Sequence, residues 1–162
     1  MLQNPKIETI SEMHLIGKRI TMSFSNIQTP SLWKSFMPRR KEIKNTIGTE
    51  FYSVEVYEDL TYFQHFNPEK SFEKWAAVQV SNLEYIPSEM ESLIIPEGKY
   101  AVFNHRGKGS EASKVYRYIL EDWLPNSEFA LANRPHFAVM GEKYKNEDPE
   151  SEEELWFPIK EK

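Results

Sequence analysis

Ile95-Pro96-Glu97-Gly98-Lys99-Tyr100-Ala101-Val102-Phe103-Asn104-His105 is the stretch on which the reading of this 162-residue chain turns. Pro96-Glu97-Gly98 is a turn signal, and the aromatic and β-branched run from Lys99 to His105 predicts a strand. Gly107-Lys108-Gly109-Ser110 then turns the chain into a helix, with Ser110 as its expected N-cap. Val115, Tyr116, Ile119, Leu120 and Trp123 share one apolar side of that helix, and Pro125 stops it. His136-Phe137-Ala138-Val139-Met140 and residues 154–159 predict two closing strands, joined by an acidic connection over 146–152. The order is strand, helix, strand, strand.

The same order precedes it. Residues 7–24 read as extended, with Ile16, Ile20 and Met22 among polar neighbours. Thr29-Pro30 predicts a helix start, a capping hydroxyl followed by proline at the first helical position. Leu32, Trp33, Phe36 and Met37 form its apolar side; Pro38 interrupts it, and a restart through 40–47 would end at Gly48. Residues 51–57 predict a strand, 59–72 a loop, and 75–80 the next strand. Corresponding segments recur about 85 residues apart, longer than solenoid repeats. We therefore expect one domain over 1–162, built of two similar halves, roughly 7–85 and 90–160. The expected fold is α+β: duplicated β-α-β-β units join into a curved antiparallel sheet with two helices on one side. The open face between the halves is the expected place for a central ligand pocket.

Composition narrows the function. Aromatic residues make up 14% of the chain, more than a small core needs. Rings carry large contact area on few rotatable bonds, which suits a ligand cavity as well as a core. A net charge of −5 argues against a nucleic-acid surface. The one basic run, Arg39-Arg40-Lys41-Glu42-Ile43-Lys44, reads as a solvated helix face. There is no cysteine, which removes disulfides, thiolate metal sites and a thiol nucleophile. His14, His65, His105 and His136 stand far apart, so no metal and no cofactor is expected. The glycines of 107–110 lack phosphate-loop spacing, and no serine-nucleophile elbow occurs. No apolar run is long enough to span a bilayer, and no secretory layout opens the chain, so the expected location is cytoplasmic. Chemistry, if any, falls to carboxylates, tyrosines and water. Glu55 is the candidate: strand alternation sets it opposite Val54 and Val56, facing either solvent or an aromatic cavity. Glu73 and Glu142 share that ambiguity.

From Ile95 onward the chain resembles the GyrI-like small-molecule-binding family. The resemblance rests on Ile95 to Phe103 with Gly107, Trp123-Leu124-Pro125-Asn126-Ser127, Arg134-Pro135-His136-Phe137, and the terminal Pro158-Ile159. Leu32-Trp33 with Phe36, and Phe72-Glu73 with Trp75-Ala76-Ala77-Val78, are weaker counterparts in the first half. The resemblance implies a pocket between two β-α-β-β units that takes a small aromatic or cationic ligand, in a resistance or sensing role. It also implies a stand-alone member, without the DNA-binding segment of the drug-sensing regulators, so without direct nucleic-acid contact. Some relatives are similar to hydrolases that open the cyclopropane ring of DNA-alkylating antibiotics. Others contact gyrase, for which nothing in this sequence speaks.

After the Pro-x-Phe element the family places a glutamate pointing into the pocket, and here that position is Ala138. Two readings stay open: a natural member that has lost or relocated its carboxylate, or a substitution made to trap an uncleaved ligand. The candidate ligand-binding residues, chosen on strands at or beside the motifs, are Tyr52, Trp75, Phe103, Phe137, Met140 and Trp156. Ala138 and Glu55 are the candidate catalytic positions.

Overall fold

A computed structural model describes residues 4–162. The elements are β1 (Lys6–Ile10), β2 (Met13–Ser23), α1 (Thr29–Phe36), β3 (Phe51–Val56), α2 (Thr61–Gln64) and β4 (Ser71–Val80). They continue with β5 (Glu91–Ile95), β6 (Gly98–Arg106), α3 (Ala112–Tyr118), β7 (Phe129–Leu131), β8 (His136–Met140) and β9 (Glu152–Glu161). The strands form one sheet in the order β1-β6-β9-β8-β3-β4-β2-β5, with β7 added on β9. Every pairing is antiparallel. The fold is α+β and duplicated, as the order of predicted elements implies.

The halves are interlocked. β1 leads into β2 through Ser11-Glu12 alone, yet it pairs with β6 of the other half. β5 leads into β6 through Pro96-Glu97, yet it pairs with β2. A connection this short reaches on the order of 10 Å. The two ends of the strand order therefore approach each other at the corner formed by Ile10, Met13, Ile95 and Gly98, and the sheet is strongly curved.

Alternation divides the side chains between two faces. Inside the curl, Leu15, Tyr52, Val54, Trp75, Ala77, Ile95, Tyr100 and Phe137 form a buried cluster with no helix over it. The rings of Phe137 and Trp156 stack there at 5.2 Å and 16°. At Gly17 the neighbouring strand comes so close that a Cβ would lie 2.0 Å from the Ala76 carbonyl oxygen. Outside the curl, α1 sets Leu32 and Phe36 against Ile16, Ala76 and Val78. α3 and the turn after it set Val115, Ile119 and Leu120 against Ala101, Phe103 and Phe157.

Local differences from the sequence expectations have physical causes. Thr29 is the first residue of α1 rather than its cap; Gln28 is the N-cap, and the Thr29 hydroxyl sits 3.7 Å from the Met22 sulfur. After Pro38 the chain makes only a 3₁₀ stretch, Met37–Glu42, and Ile43 is extended and buried. Arg39 is held there by Glu42 and Glu89. Ser110 does not cap α3, which begins two residues later; its hydroxyl donates to Glu147. α3 runs on into a wider π turn, where the Leu124 N–H donates to the Ile119 carbonyl. β5, β7 and α2 lie in segments read as turns and loops.

Candidate functional site

At the middle of the sheet β3 and β8 run side by side, with Ser53 opposite Ala138 and Glu55 opposite His136. These four side chains share the outer, helix-bearing face. Above them the helical cover is incomplete, and a cavity of about 80 Å³ remains between α2 and α3. Its walls are the rings of Tyr57, Phe63, Tyr116 and Phe157, with Phe24 beside them. Glu55 and His136 form its polar part, and Ser113 and Leu120 of the α3 segment complete the lining.

The rings are mutually braced. His136 lies 5.0 Å from Tyr57, 5.6 Å from Phe63 and 5.6 Å from Phe157, centroid to centroid. Tyr57 and Phe63 meet edge to face at 4.6 Å, and Tyr116 meets Phe157 in the same way at 5.4 Å. Edge-to-face pairs of this kind add stabilisation beyond area burial, so the wall keeps its shape while empty.

The electrostatics centre on Glu55, which is 6% exposed. The Tyr57 hydroxyl donates to its Oε2 at 3.2 Å, and the Lys74 ammonium stands 3.7 Å from the same oxygen. Lys74 is the cross-strand partner of Glu55 on β4. A buried charge is tolerable only with such partners, and removing one of them costs more than the intact pair contributes. Burial, then the charge of Glu55, pushes the Tyr57 and Tyr116 phenols well above their ordinary range, so both stay protonated donors. Burial also pushes the His136 imidazole down to about 3, so it stands in the cavity uncharged. Glu153, a second buried carboxylate on this face, is raised by burial, against which His105 and Lys74 act.

Of the sequence candidates, only Glu55 lines this cavity. Tyr52, Trp75 and Phe137 belong to the cluster inside the curl, and Trp156 packs against it. Ala138 and Phe103 sit on the outer face in the core under α3, and Met140 is buried at the end of β8 opposite Phe51. The described cavity lies on the helix-bearing side of the sheet, while the inner face carries the packed aromatic cluster. Tyr57 and His136 share the face of Glu55 by alternation, a signal the sequence holds. Tyr116 had read as core, and Phe63 fell in a segment read as loop. Glu73 lies on the inner face, where it accepts from the Trp75 indole and Arg19; Glu142 is exposed.

Ala138 faces Ser53, and Glu55 follows two residues along the same strand and face, so a carboxylate enters the β3–β8 seam from β3. Among the described residues no trio of His, Asp or Glu is placed to hold a metal ion, and no helix is long and apolar enough to cross a membrane.

Comparison with known proteins agrees with this architecture. The profile of the GyrI-like small molecule binding domain matches residues 3–160. No functionally curated protein matches the sequence. Among solved structures, the chain is similar to an integron cassette protein of Vibrio cholerae, VCH_CASS2, at a TM-score of 0.68 and 15% identity, covering 98% of this chain and 97% of that one. It is similar to SAV2435 bound to tetraphenylphosphonium, at 0.68 and 14%, covering 98% and 94%. It is also similar to a hydrolase encoded by lin2189 of Listeria innocua, at 0.59 and 11%, covering 97% and 92%. At these identities the likeness is one of fold.

Proposed function

The chain belongs to the GyrI-like small molecule binding domain family, and on that footing we propose that it binds a small, flat, largely aromatic molecule in the cavity between α2 and α3, in a resistance or sensing role. The observation that carries this reading is the ring of Tyr57, Phe63, Tyr116 and Phe157 around a buried carboxylate and an uncharged imidazole. Aromatic walls with a few placed polar groups are what a ligand site of this kind requires. The binding of tetraphenylphosphonium by SAV2435, a protein of the same fold, supports an aromatic ligand.

The cavity of about 80 Å³ is a closed form. Sites for drug-sized ligands run to roughly 300–1,000 Å³, so binding needs an opening. α2 is the element to move. It has four residues, too few to hold as an isolated helix. It is kept in place by the buried Tyr62, whose hydroxyl donates to the Lys70 carbonyl, and by Phe63 in the wall. A flat ring entering beside His136 packs against Phe63 and the other rings of the wall. The test is calorimetric titration with a panel of flat aromatics against the wild type and Ser113→Trp, which plugs the rim from an exposed position. Binding to the wild type and none to the variant, at equal thermal stability, is expected; equal binding to both sinks the reading.

A second reading is hydrolysis of a cyclopropanoid antibiotic. Glu55 would orient a water whose oxygen adds to the strained carbon, while the ring bond breaks and the proton passes to the departing phenolate oxygen. The buried Glu55–Tyr57 contact supports this reading, and the likeness to a hydrolase of the same fold is consistent with it. Lys74 weighs against it, because its ammonium stands against the carboxylate oxygen that a water would need. Incubation with such an antibiotic and mass spectrometry decides: a gain of one water means hydrolysis, and unchanged compound means binding alone. Ala138→Glu, restoring the family position, should raise any such activity.

A further inference from the structure

Glu55 is the one carboxylate that lines the cavity, and its charge already has a partner inside the protein. The Lys74 side chain is 10% exposed and that of Glu55 8% exposed, with the ammonium at 3.7 Å. No other cation pairs with Glu55 among the described residues. Glu153 faces His105 across the β6–β9 register and does not line the cavity. His136, Tyr57 and Tyr116 complete the polar lining without charge. The empty site is therefore electrically balanced, although it holds a buried carboxylate.

We propose, resting on the reading of this cavity as a ligand site, that Lys74 is a built-in counter-cation that makes the site select uncharged aromatic molecules over permanently cationic ones. A cationic ring entering the cavity leaves water and finds the only carboxylate there engaged. Displacing Lys74 would strand an ammonium beneath the sheet cover, a larger cost than the exchange returns. An uncharged ring meets no such cost. It gains the faces of Tyr57, Phe63 and Phe157, while the imidazole of His136 remains available for a hydrogen bond. The carboxylate then serves as an internal half of an ion pair, and its place on β3 sets it opposite Lys74.

Acridine, at mildly alkaline pH where it is uncharged, and N-methylacridinium, which is always cationic, form a nearly isosteric pair of flat probes. The wild type is expected to bind acridine more tightly by about tenfold or more. Lys74→Met frees the carboxylate and should reverse the preference by a similar factor, whereas Lys74→Arg keeps the pairing and should retain it. A wild-type preference for N-methylacridinium, or an unchanged ratio in Lys74→Met, overturns the role given to Lys74 while leaving the cavity reading intact. Binding of neither ring defeats the cavity reading, and the proposal with it. Should Lys74→Met fail to fold by circular dichroism, the double variant Glu55→Gln/Lys74→Met removes both partners together. It should still prefer acridine, and a preference for the cation there would contradict the proposal.

Discussion

Inside the curl of the sheet, Tyr52 and Tyr100 lie ring against ring with Phe137, which stacks on Trp156, and Trp75 is buried in the same cluster. On the outer face, Tyr57, Phe63, Tyr116 and Phe157 stand at similar ring spacings but surround Glu55 and His136 and leave a cavity. The residue types are the same and the outcome is opposite. What differs is the cover: the inner rings pack against one another across the curved sheet, while the outer face depends on two helical layers that do not meet over the β3–β8 seam. Aromatic content therefore marks a site only where the fold withholds a lid.

Substitutions on the two faces should separate accordingly. The largest effect is expected at Trp75→Ala, which empties the inner core at a cost of about 3–5 kcal/mol in urea denaturation. Phe63→Ala, at a half-buried ring bordering open space, should cost under about 1 kcal/mol and weaken ligand binding instead. Equal losses at the two positions would break the contrast.

Next comes an acid effect peculiar to the cavity. His136 titrates at 6.5 when unfolded and at about 3 when buried. Between those values the unfolded chain binds more protons, so stability falls as the pH falls through that window. At about pH 5 the loss should reach roughly 2 kcal/mol relative to neutral pH. His136→Phe should remove that part of the acid sensitivity, and identical pH profiles of wild type and variant would place the imidazole outside the buried wall.

The smallest effects compare two hydroxyls. Tyr57→Phe removes a bond to a buried carboxylate and should cost about 1–2 kcal/mol, read as a shift in the denaturation midpoint. Tyr52→Phe, on the inner face, removes a bond to the neutral Gln79 amide at 3.3 Å and should cost about 0.5 kcal/mol. The reverse order would show that Glu55 is more solvated than its burial indicates.

Much of this fold was legible in the sequence, because β-branched and aromatic runs such as 51–57 and 99–105 and the apolar side of 115–123 carry clear periods. The exchange of β1 and β5 between halves was not, since β5 is a short run between Pro87 and Pro96 and partner choice is non-local. That exchange decides how the sheet curves, and with it that Tyr52, Trp75, Phe137 and Trp156 pack together in the inner cluster, apart from the cavity. Glu55 was singled out because alternation gives a carboxylate a definite face. Lys74 was not, because its role comes from the register of β3 on β4 and not from any local pattern.

The most direct test is to follow side-chain NMR signals during titration with acridine. The account predicts that shifts concentrate on His136, Tyr57, Phe63 and Phe157 around Glu55, with Tyr52, Trp75 and Trp156 unmoved. Shifts centred on Trp75 and Trp156, with His136 silent, would place the ligand inside the curl and contradict it.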